Sequence, residues 1–197
     1  HYLFAGVLTF SVIASGLFAT GHTLVLYRQN RFLKKLATTP LPRWTFVLAQ
    51  VAARSLLVLA QVALLVVAAR LLFGVPFTAL GVLWLAVITL LGVLAFMGLG
   101  FALACVITSE DLVTDVISGV QLPLILLSEI FFPLAALPRP LAALGEWLPS
   151  TAMVRLARDV LLYDVTAPAA LLPGLVLLGA WAAITFAVSL LVFRWHE

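Results

Sequence analysis

The chain has 197 residues, of which 64% are hydrophobic and only 10% are charged, and its formal net charge is +3. Its mean hydropathy of +1.23 leaves too little polar surface for a soluble globular protein. The positive charge does not indicate nucleic-acid binding, because much of it lies in one short connection between apolar runs. We therefore expect one all-α domain over residues 1–197 that crosses a lipid bilayer several times.

The first two predicted spans flank a basic segment. Tyr2–Leu26 is apolar, and Trp44–Phe73 is a second apolar run with Arg54 and Arg70 near its ends. Each run exceeds the roughly 20 residues that a helix needs to cross the hydrocarbon layer. Between them, Arg28–Arg43 carries five basic residues and no acid, so the positive-inside rule places it in the cytoplasm. Arg54 and Arg70 are expected to extend towards lipid head groups.

A third span is predicted to follow a turn rich in glycine and proline and to end near Thr108. Two overlapping pairs of small residues, which begin at Gly98 and Gly100, lie near its end. Such pairs allow helices to approach closely in lipid. A loop is expected over Ser109–Asp115 before the next apolar run.

The second half of the chain is less regular. The fourth predicted span, Val116–Leu137, is interrupted by Pro123, Glu129 and Pro133. Two short amphipathic helices are then predicted within Pro138–Asp164, lying at the outer interface or dipping into it. The apolar face of the first contains Leu141, Leu144 and Leu148. That of the second contains Met153, Leu156, Val160 and Tyr163, opposite Arg155, Arg158 and Asp159, with Ser150 or Thr151 as N-cap.

The fifth predicted span, from about Val165 to Phe193, fixes the predicted topology. Alternation of the spans from a cytoplasmic basic segment puts residue 1 outside and the C-terminus in the cytoplasm. A chain whose first residue lies outside is expected to lack one preceding span. The sequence therefore predicts five visible transmembrane helices of an expected six.

Glu129 is an ionisable residue within an apolar segment. Such a residue costs at least about 2.5 kcal/mol at mid-membrane unless it faces a partner or water. Glu129 could line a transport pathway or pair with an arginine of the amphipathic helices. Alternatively, Pro133 ends the membrane portion early and Glu129 lies in the wet interface.

Three stretches carry a family resemblance: Leu36–Arg43, with the sequence LATTPLPR, Leu71–Phe77, with the sequence LLFGVPF, and Leu127–Arg158. In this order they resemble the ABC type-2 permease family, the membrane subunits of bacterial exporters of drugs, lipids and polysaccharides. The chain departs from the family pattern at Glu129, where glycine commonly follows the serine. It also departs at Gln29 and Asn30, where a glutamate-containing pair is common.

The resemblance implies a six-span permease of the bacterial inner membrane, with re-entrant helices before the last span. A separate ABC ATPase would bind ATP and Mg²⁺, since this chain has no phosphate-binding loop; no cofactor is expected in the chain itself. A second permease copy or paralogue and an amphipathic or lipid-linked substrate are the other implied partners. The residues implied to couple the permease to the ATPase are Arg28, Arg31, Phe32, Lys34, Lys35, Leu36 and Thr39. Those implied for the translocation path or outer gate are Glu129, Phe131, Phe132 and Pro133.

Two other functions stay open from the sequence. Asp111 and Asp115 are four residues apart, and on a helix they could hold Mg²⁺ in a membrane-embedded enzyme that acts on a lipid diphosphate. A channel or scaffold protein is the other alternative. The basic segment could also serve only to orient the chain and to bind anionic lipid.

Overall fold

The computed structural model of the chain describes residues 2–30, 43–74, 77–107, 109–131 and 133–192, and these contain helices and turns but no strand. The helices are α1 (Tyr2–Ile13), a π-helical turn (Ala14–Phe18), α2 (Ala19–Gln29), α3 (Arg43–Phe73), α4 (Ala79–Val106), α5 (Glu110–Leu126), a 3₁₀ turn (Leu134–Ala136), α6 (Arg139–Glu146), α7 (Pro149–Leu162) and α8 (Pro168–Val192). The predicted all-α polytopic architecture is confirmed.

Among the residues that the structure describes, four apolar stretches are long enough to cross a bilayer: Phe4–Tyr27, Val47–Leu72, Ala79–Val106 and Pro168–Ser189. They correspond to the first, second, third and fifth predicted spans. The first of them consists of α1, the π-helical turn and α2, which follow one another without a break. Composition and length alone were sufficient to predict these four, because each is a predominantly apolar run of more than 20 residues.

The fourth predicted span has a different extent. Helix α5 begins at Glu110, inside the expected loop, because the Ser109 side chain caps it by accepting a hydrogen bond from the Leu112 amide at 3.3 Å. It ends at Leu126 after 17 residues, shortly past Pro123. Proline lacks the amide hydrogen that a helix interior needs. At 17 residues, α5 is shorter than the four stretches that are long enough to cross a bilayer, and the chain turns before reaching Leu137.

Helix α4 forms the centre of the bundle and packs against the π-helical turn, α2, α3, α7 and α8. Its two small-residue pairs serve different neighbours. Gly98 faces Thr185 of α8, and its carbonyl accepts a hydrogen bond from the Ser189 hydroxyl at 2.9 Å. Gly100 faces the carbonyl of Leu17, and a methyl group there would lie 2.6 Å from that oxygen. Small side chains thus let two helices contact α4 on different sides.

The two ends of the bundle are distinguishable by their connections. At one end α3 leads into α4, and the segment between α7 and α8 lies beside this connection. Thr78 donates a hydrogen bond to Asp164 at 2.9 Å, and the Trp84 indole donates to the Thr166 carbonyl at 3.1 Å. We call this the distal end. The opposite end, where α2 finishes and α3 begins, is called the basic end.

Helices α6 and α7 form a hairpin that reaches into the bundle from the distal end. Met153, near the start of α7, contacts Gly92 in the middle of α4, whereas Val160 lies near Gly81 at the start of α4. The Trp181 indole, midway along α8, donates a hydrogen bond to the Trp147 carbonyl at 2.8 Å. The link between α6 and α7 therefore lies near the middle of the bundle, and α7 rises from there to the distal end.

The start of α7 differs from the prediction that Ser150 or Thr151 caps it. The helix begins at Pro149, with Leu148 as N-cap and no side-chain cap. Proline is well suited to the first helical position because its missing amide hydrogen has no helical partner there. The Ser150 hydroxyl instead donates to the Leu124 carbonyl of α5 at 3.0 Å. This bond joins the base of the hairpin to the end of α5.

Candidate functional site

The turn after α5 is held between two helices by close backbone contacts. The carbonyl of Ile130 lies against Gly6 of α1, and the carbonyl of Leu127 lies against Gly145 of α6. Any larger residue at either glycine would collide with the carbonyl oxygen, so glycine is required for this approach. These contacts fix the position of Glu129 within the turn.

Helix α7 supplies the partners of Glu129. Its predicted apolar face is confirmed for Met153, Leu156 and Val160, which are buried against the bundle. Tyr163 is exposed, because the helix ends at Leu162. The predicted polar face is only partly correct: Arg155 is exposed, but Arg158, one turn later, is buried.

Both arginines bind the carboxylate of Glu129. Arg155 contacts one carboxylate oxygen at 2.9 Å, and Arg158 contacts the other at 3.2 Å. Arg158 also donates a hydrogen bond to the backbone carbonyl of Glu129. The exposed fractions of the side chains are 7% for Arg158, 16% for Glu129 and 43% for Arg155. We call these three residues the arginine clamp.

The arginine clamp shows how Glu129 is paired. The predicted pairing with arginines of the amphipathic helices is present, and Glu129 is mostly buried and binds two cations. Its position in the wet interface or along a transport pathway stays a prediction. Charges removed from water are stable only when they are paired. Removing one partner of a buried pair typically costs about 3–5 kcal/mol, because the other charge is left uncompensated.

Two neighbouring groups on α7 have shifted pKa values. The hydrogen bond to Glu129 raises the pKa of Arg155, and nearby Glu146 and Asp159 act in the same direction. Burial raises the pKa of the Asp159 carboxyl, an effect that the charge of Arg155 partly opposes. The distal end therefore contains a dense group of charges in partly desolvated surroundings.

The other residues predicted for the path or gate do not join the clamp. Phe131 is 46% exposed, and Pro133 is exposed as the N-cap of the 3₁₀ turn. Phe132 lies outside the described residues. The structure thus places Phe131 and Pro133 just after the turn that holds Glu129, and their role stays a prediction.

A second cation contact was not expected from the sequence. Arg54 does not simply extend to the head groups: its guanidinium donates to the Ala19 carbonyl at 3.1 Å and to the Thr23 hydroxyl at 3.0 Å. The Thr23 hydroxyl donates to the same carbonyl at 2.6 Å. Ala19 directly follows the π-helical turn, where the helix contains one extra residue per turn. Arg54 therefore links α3 to an irregular point in the first span.

The predicted coupling residues fall almost wholly outside the described part of the chain. Arg28 is helical, near the end of α2. The others, Arg31, Phe32, Lys34, Lys35, Leu36 and Thr39, lie in the segment 31–42. Asp115 of the alternative metal site is exposed on α5, and no group of three or more histidine, cysteine or acidic side chains placed to bind a metal occurs among the described residues.

Within the described ranges, four long apolar helical stretches, a shorter fifth and a hairpin that enters the bundle define a multi-pass membrane protein. The sequence profile described as ABC-2 type transporter matches residues 1–162. The chain belongs to this family and is a transmembrane permease component of an ABC transporter. Such components typically work with ABC ATPase subunits. A comparison with curated proteins gave no significant match.

Proposed function

We propose that the chain is the permease subunit of an exporter, which moves an amphipathic or lipid-linked molecule, such as a drug, lipid or glycan, out of the cytoplasm. Separate ATPase subunits would drive it in the plasma membrane of a bacterium. Family membership supports a transport role. The apolar character of the bundle supports the substrate class, since a chain with 10% charged residues offers few polar groups to a strongly hydrophilic cargo.

The arginine clamp is the observation that carries this proposal. It fastens α7 to the turn after α5, on a hairpin that enters the bundle from the distal end. A packed element held by a few specific contacts suits a gate, because it has discrete closed and released arrangements rather than a continuous range. With the distal end outside the cell, Glu129, Phe131, Phe132 and Pro133 would form the base of an outer gate.

The basic end is the proposed contact for the ATPase. Phe32 and Leu36 would pack into the partner, while Arg28, Arg31, Lys34, Lys35 and Thr39 would meet polar and acidic groups on its surface. Binding of ATP can favour one arrangement of the spans only if the contacts at this end differ between the two arrangements. In this proposal, the ATPase contact and the outer gate lie at opposite ends of α4.

A second permease copy or paralogue is the proposed lateral partner. Helix α3 contacts the bundle over little of its surface, and Leu56, Leu64 and Leu71 are largely exposed. Exposed apolar side chains of a spanning helix face either lipid or another membrane helix. If each subunit has one such face on α3, two subunits could pair through these faces.

The orientation is tested by labelling in intact cells. Cys105 is first replaced by Ala, and single cysteines are then introduced as Lys34→Cys at the basic end and Arg139→Cys at the start of α6. A membrane-impermeant maleimide should label Arg139→Cys and leave Lys34→Cys unlabelled until the cells are opened. Labelling of Lys34→Cys from outside would reverse the proposed direction and refute the export assignment.

The ATPase contact is tested by reversing charge at Arg31, Lys34 and Lys35 to Glu. The triple variant should insert normally but lose co-purification with a candidate ATPase subunit and lose stimulation of its ATP hydrolysis. The control reverses Arg70 and Arg139, at the distal end, and should retain both. Full ATPase stimulation by the triple variant would rule out this segment as the contact.

A further inference from the structure

Three polar side chains lie along one face of the spanning helix α3. They are Gln50, Arg54 and Gln61, and their positions fall within about 40° of arc at 3.6 residues per helical turn. Gln50 and Arg54 are partly exposed, and Gln61 is exposed. We call this face the polar track. The leucines of α3 that are proposed for lateral pairing lie on an adjacent face of the helix.

The polar track runs from near the basic end to the middle of the apolar stretch Val47–Leu72. At 1.5 Å per residue, Gln50, Arg54 and Gln61 lie roughly 5, 10 and 21 Å along α3 from Val47. Neither glutamine side chain makes a hydrogen bond with another described residue. Amide and guanidinium groups at such depths are costly when only hydrocarbon surrounds them. The track therefore suits a polar group that enters the bilayer.

The guanidinium of Arg54 is held at the edge of the polar track by one of its three nitrogens. Its hydrogen bonds to the Ala19 carbonyl at 3.1 Å and to the Thr23 hydroxyl at 3.0 Å both come from Nη2. A guanidinium has five N–H donors, and Nη1 and Nε donate to no other described residue. The first span therefore orients the group, while the remaining donors are left for an oxygen ligand.

The charge of Arg54 is not balanced by the helices around the polar track. None of the eight acidic residues precedes Glu110, so α1, α2, α3 and α4 contain no carboxylate. Among the described residues, no acid forms an ion pair with Arg54. A second copy that paired through this same face would bring one Arg54 towards another, and such like-charge contacts are unfavourable. The charge therefore favours a small anion over a second copy as the occupant of the track.

We infer that the polar track binds the oxyanion head of an amphipathic molecule that enters from the lipid. Arg54 would bind the head through charge-assisted hydrogen bonds from Nη1 and Nε, and the amide of Gln61 would receive it nearer the middle of the bilayer. The alkyl chain would lie in the lipid against Leu57, which is 62% exposed on the same face. The inference rests on the proposed function only in treating this anion as cargo, because binding concerns the chain alone.

The test is photolabelling of the full chain in phosphatidylcholine nanodiscs. The probe is a long-chain alkyl phosphate that carries a diazirine next to the head, and its attachment sites are mapped by mass spectrometry. Dodecyl phosphate should compete for labelling of α3 near Arg54 and Gln61. Dodecanol and dodecyltrimethylammonium, which share the alkyl chain, should not compete at the same concentration. Inorganic phosphate should not compete either, because it does not enter from the lipid.

The decisive variant is Arg54→Gln, which removes the cation. Because loss of a hydrogen bond to a charged group typically changes an affinity by roughly tenfold or more, dodecyl phosphate should compete at least roughly tenfold less well. The matched control, Arg70→Gln, removes the same charge from the distal end of α3, where the side chain is exposed, and should leave competition unchanged. Gln61→Leu keeps the contacts of Arg54 with the first span, and it serves if Arg54→Gln fails to fold. It should remove attachment near residue 61 and retain attachment near Arg54.

Several results would overturn the inference. Equal competition by dodecanol would show that the head is not recognised, and a lack of labelling on α3 would show that the track is covered. Unchanged competition in Arg54→Gln, or unchanged attachment near residue 61 in Gln61→Leu, would have the same consequence. Efficient disulfide formation between copies that carry Gln61→Cys and Cys105→Ala would show that a second copy occupies the track. A failed orientation or ATPase-contact test would leave these measurements unaffected, so the two proposals can fail separately.

Discussion

Replacing Glu129 by Gln should destabilise the protein far more than removing Arg155. The substitution keeps the shape of the side chain but removes the carboxylate that Arg158, with 7% of its side chain exposed, contacts. Loss of one partner of a buried pair costs about 3–5 kcal/mol. The backbone carbonyl of residue 129 still accepts from Arg158, and the carboxylate was 16% exposed, so we expect about 2–3 kcal/mol.

Arg155→Ala gives the internal comparison. Its side chain is 43% exposed, and exposed pairs contribute about 0–1 kcal/mol. For a chain of this length, 1 kcal/mol corresponds to roughly 2–4 °C in the melting temperature. Glu129→Gln should therefore lower the melting temperature of the detergent-solubilised protein by roughly 4–12 °C, and Arg155→Ala by at most about 4 °C.

Thermal unfolding is monitored by size-exclusion chromatography, and Glu146→Gln is the control. Glu146 is exposed and lies near Arg155 without a direct ion pair, so its neutralisation should have little effect. The double variant Glu129→Gln with Arg158→Met should recover part of the loss, because the buried cation that contacts Glu129 is then also removed. Equal shifts for Glu129→Gln and Arg155→Ala would show that burial of Arg158 does not determine the energy of the clamp.

Two further predictions concern packing and pH. Gly100→Ala should destabilise the protein by about 1–3 kcal/mol, because the new methyl group meets the Leu17 carbonyl. The control Gly119→Ala has open space around it and should be neutral or stabilising. Equal melting temperatures of the two variants would contradict the close contact at Gly100. Burial raises the folded-state pKa of Asp159, so its contribution to stability is present below the unfolded-state pKa and is lost as the pH rises through the raised value. Melting of Asp159→Asn and of the parent chain across pH 4–8 should show the variant gaining relative stability as the pH rises, and a parallel pair of curves would refute this.

The long spans could be predicted because their signal is local. Each of the four depends only on a predominantly apolar run of residues, which a short window of sequence contains entirely. The fourth predicted span was harder, since the N-cap at Ser109 and the proline at 123 move both ends of α5 in the same direction. Local hydropathy does not include either effect.

The arginine clamp could be predicted only in part. The cost of a lone carboxylate in an apolar segment indicated that Glu129 needed a partner. Which arginine it would meet depended on how α7 is rotated about its axis and how deep it enters the bundle, and neither follows from the amphipathic pattern. Arg158 looked like a surface residue because the pattern contains no information about the turn packed against it.

The contact of Arg54 had no recognisable signal at all. The residues of the π-helical turn are small or apolar and occur equally in ordinary α-helices. The position of the π-helical turn depends on the packing of Gly16 against Phe96 of α4, and this contact joins distant parts of the chain. The interfacial position expected for Arg54 rested on its distance from the ends of the run, and could not include a carbonyl on a neighbouring helix as a partner.

The π-helical turn separates the first span into two helical halves, α1 and α2. Its surplus residue can shift along a helix by exchanging one backbone hydrogen bond at a time, and each such step rotates the segment that it crosses by about 100°. Such a shift would rotate the half of the span next to the basic end relative to the half that contacts Ile130 through Gly6. Arg54 donates a hydrogen bond to the Ala19 carbonyl just after the turn, so α3 would oppose this shift.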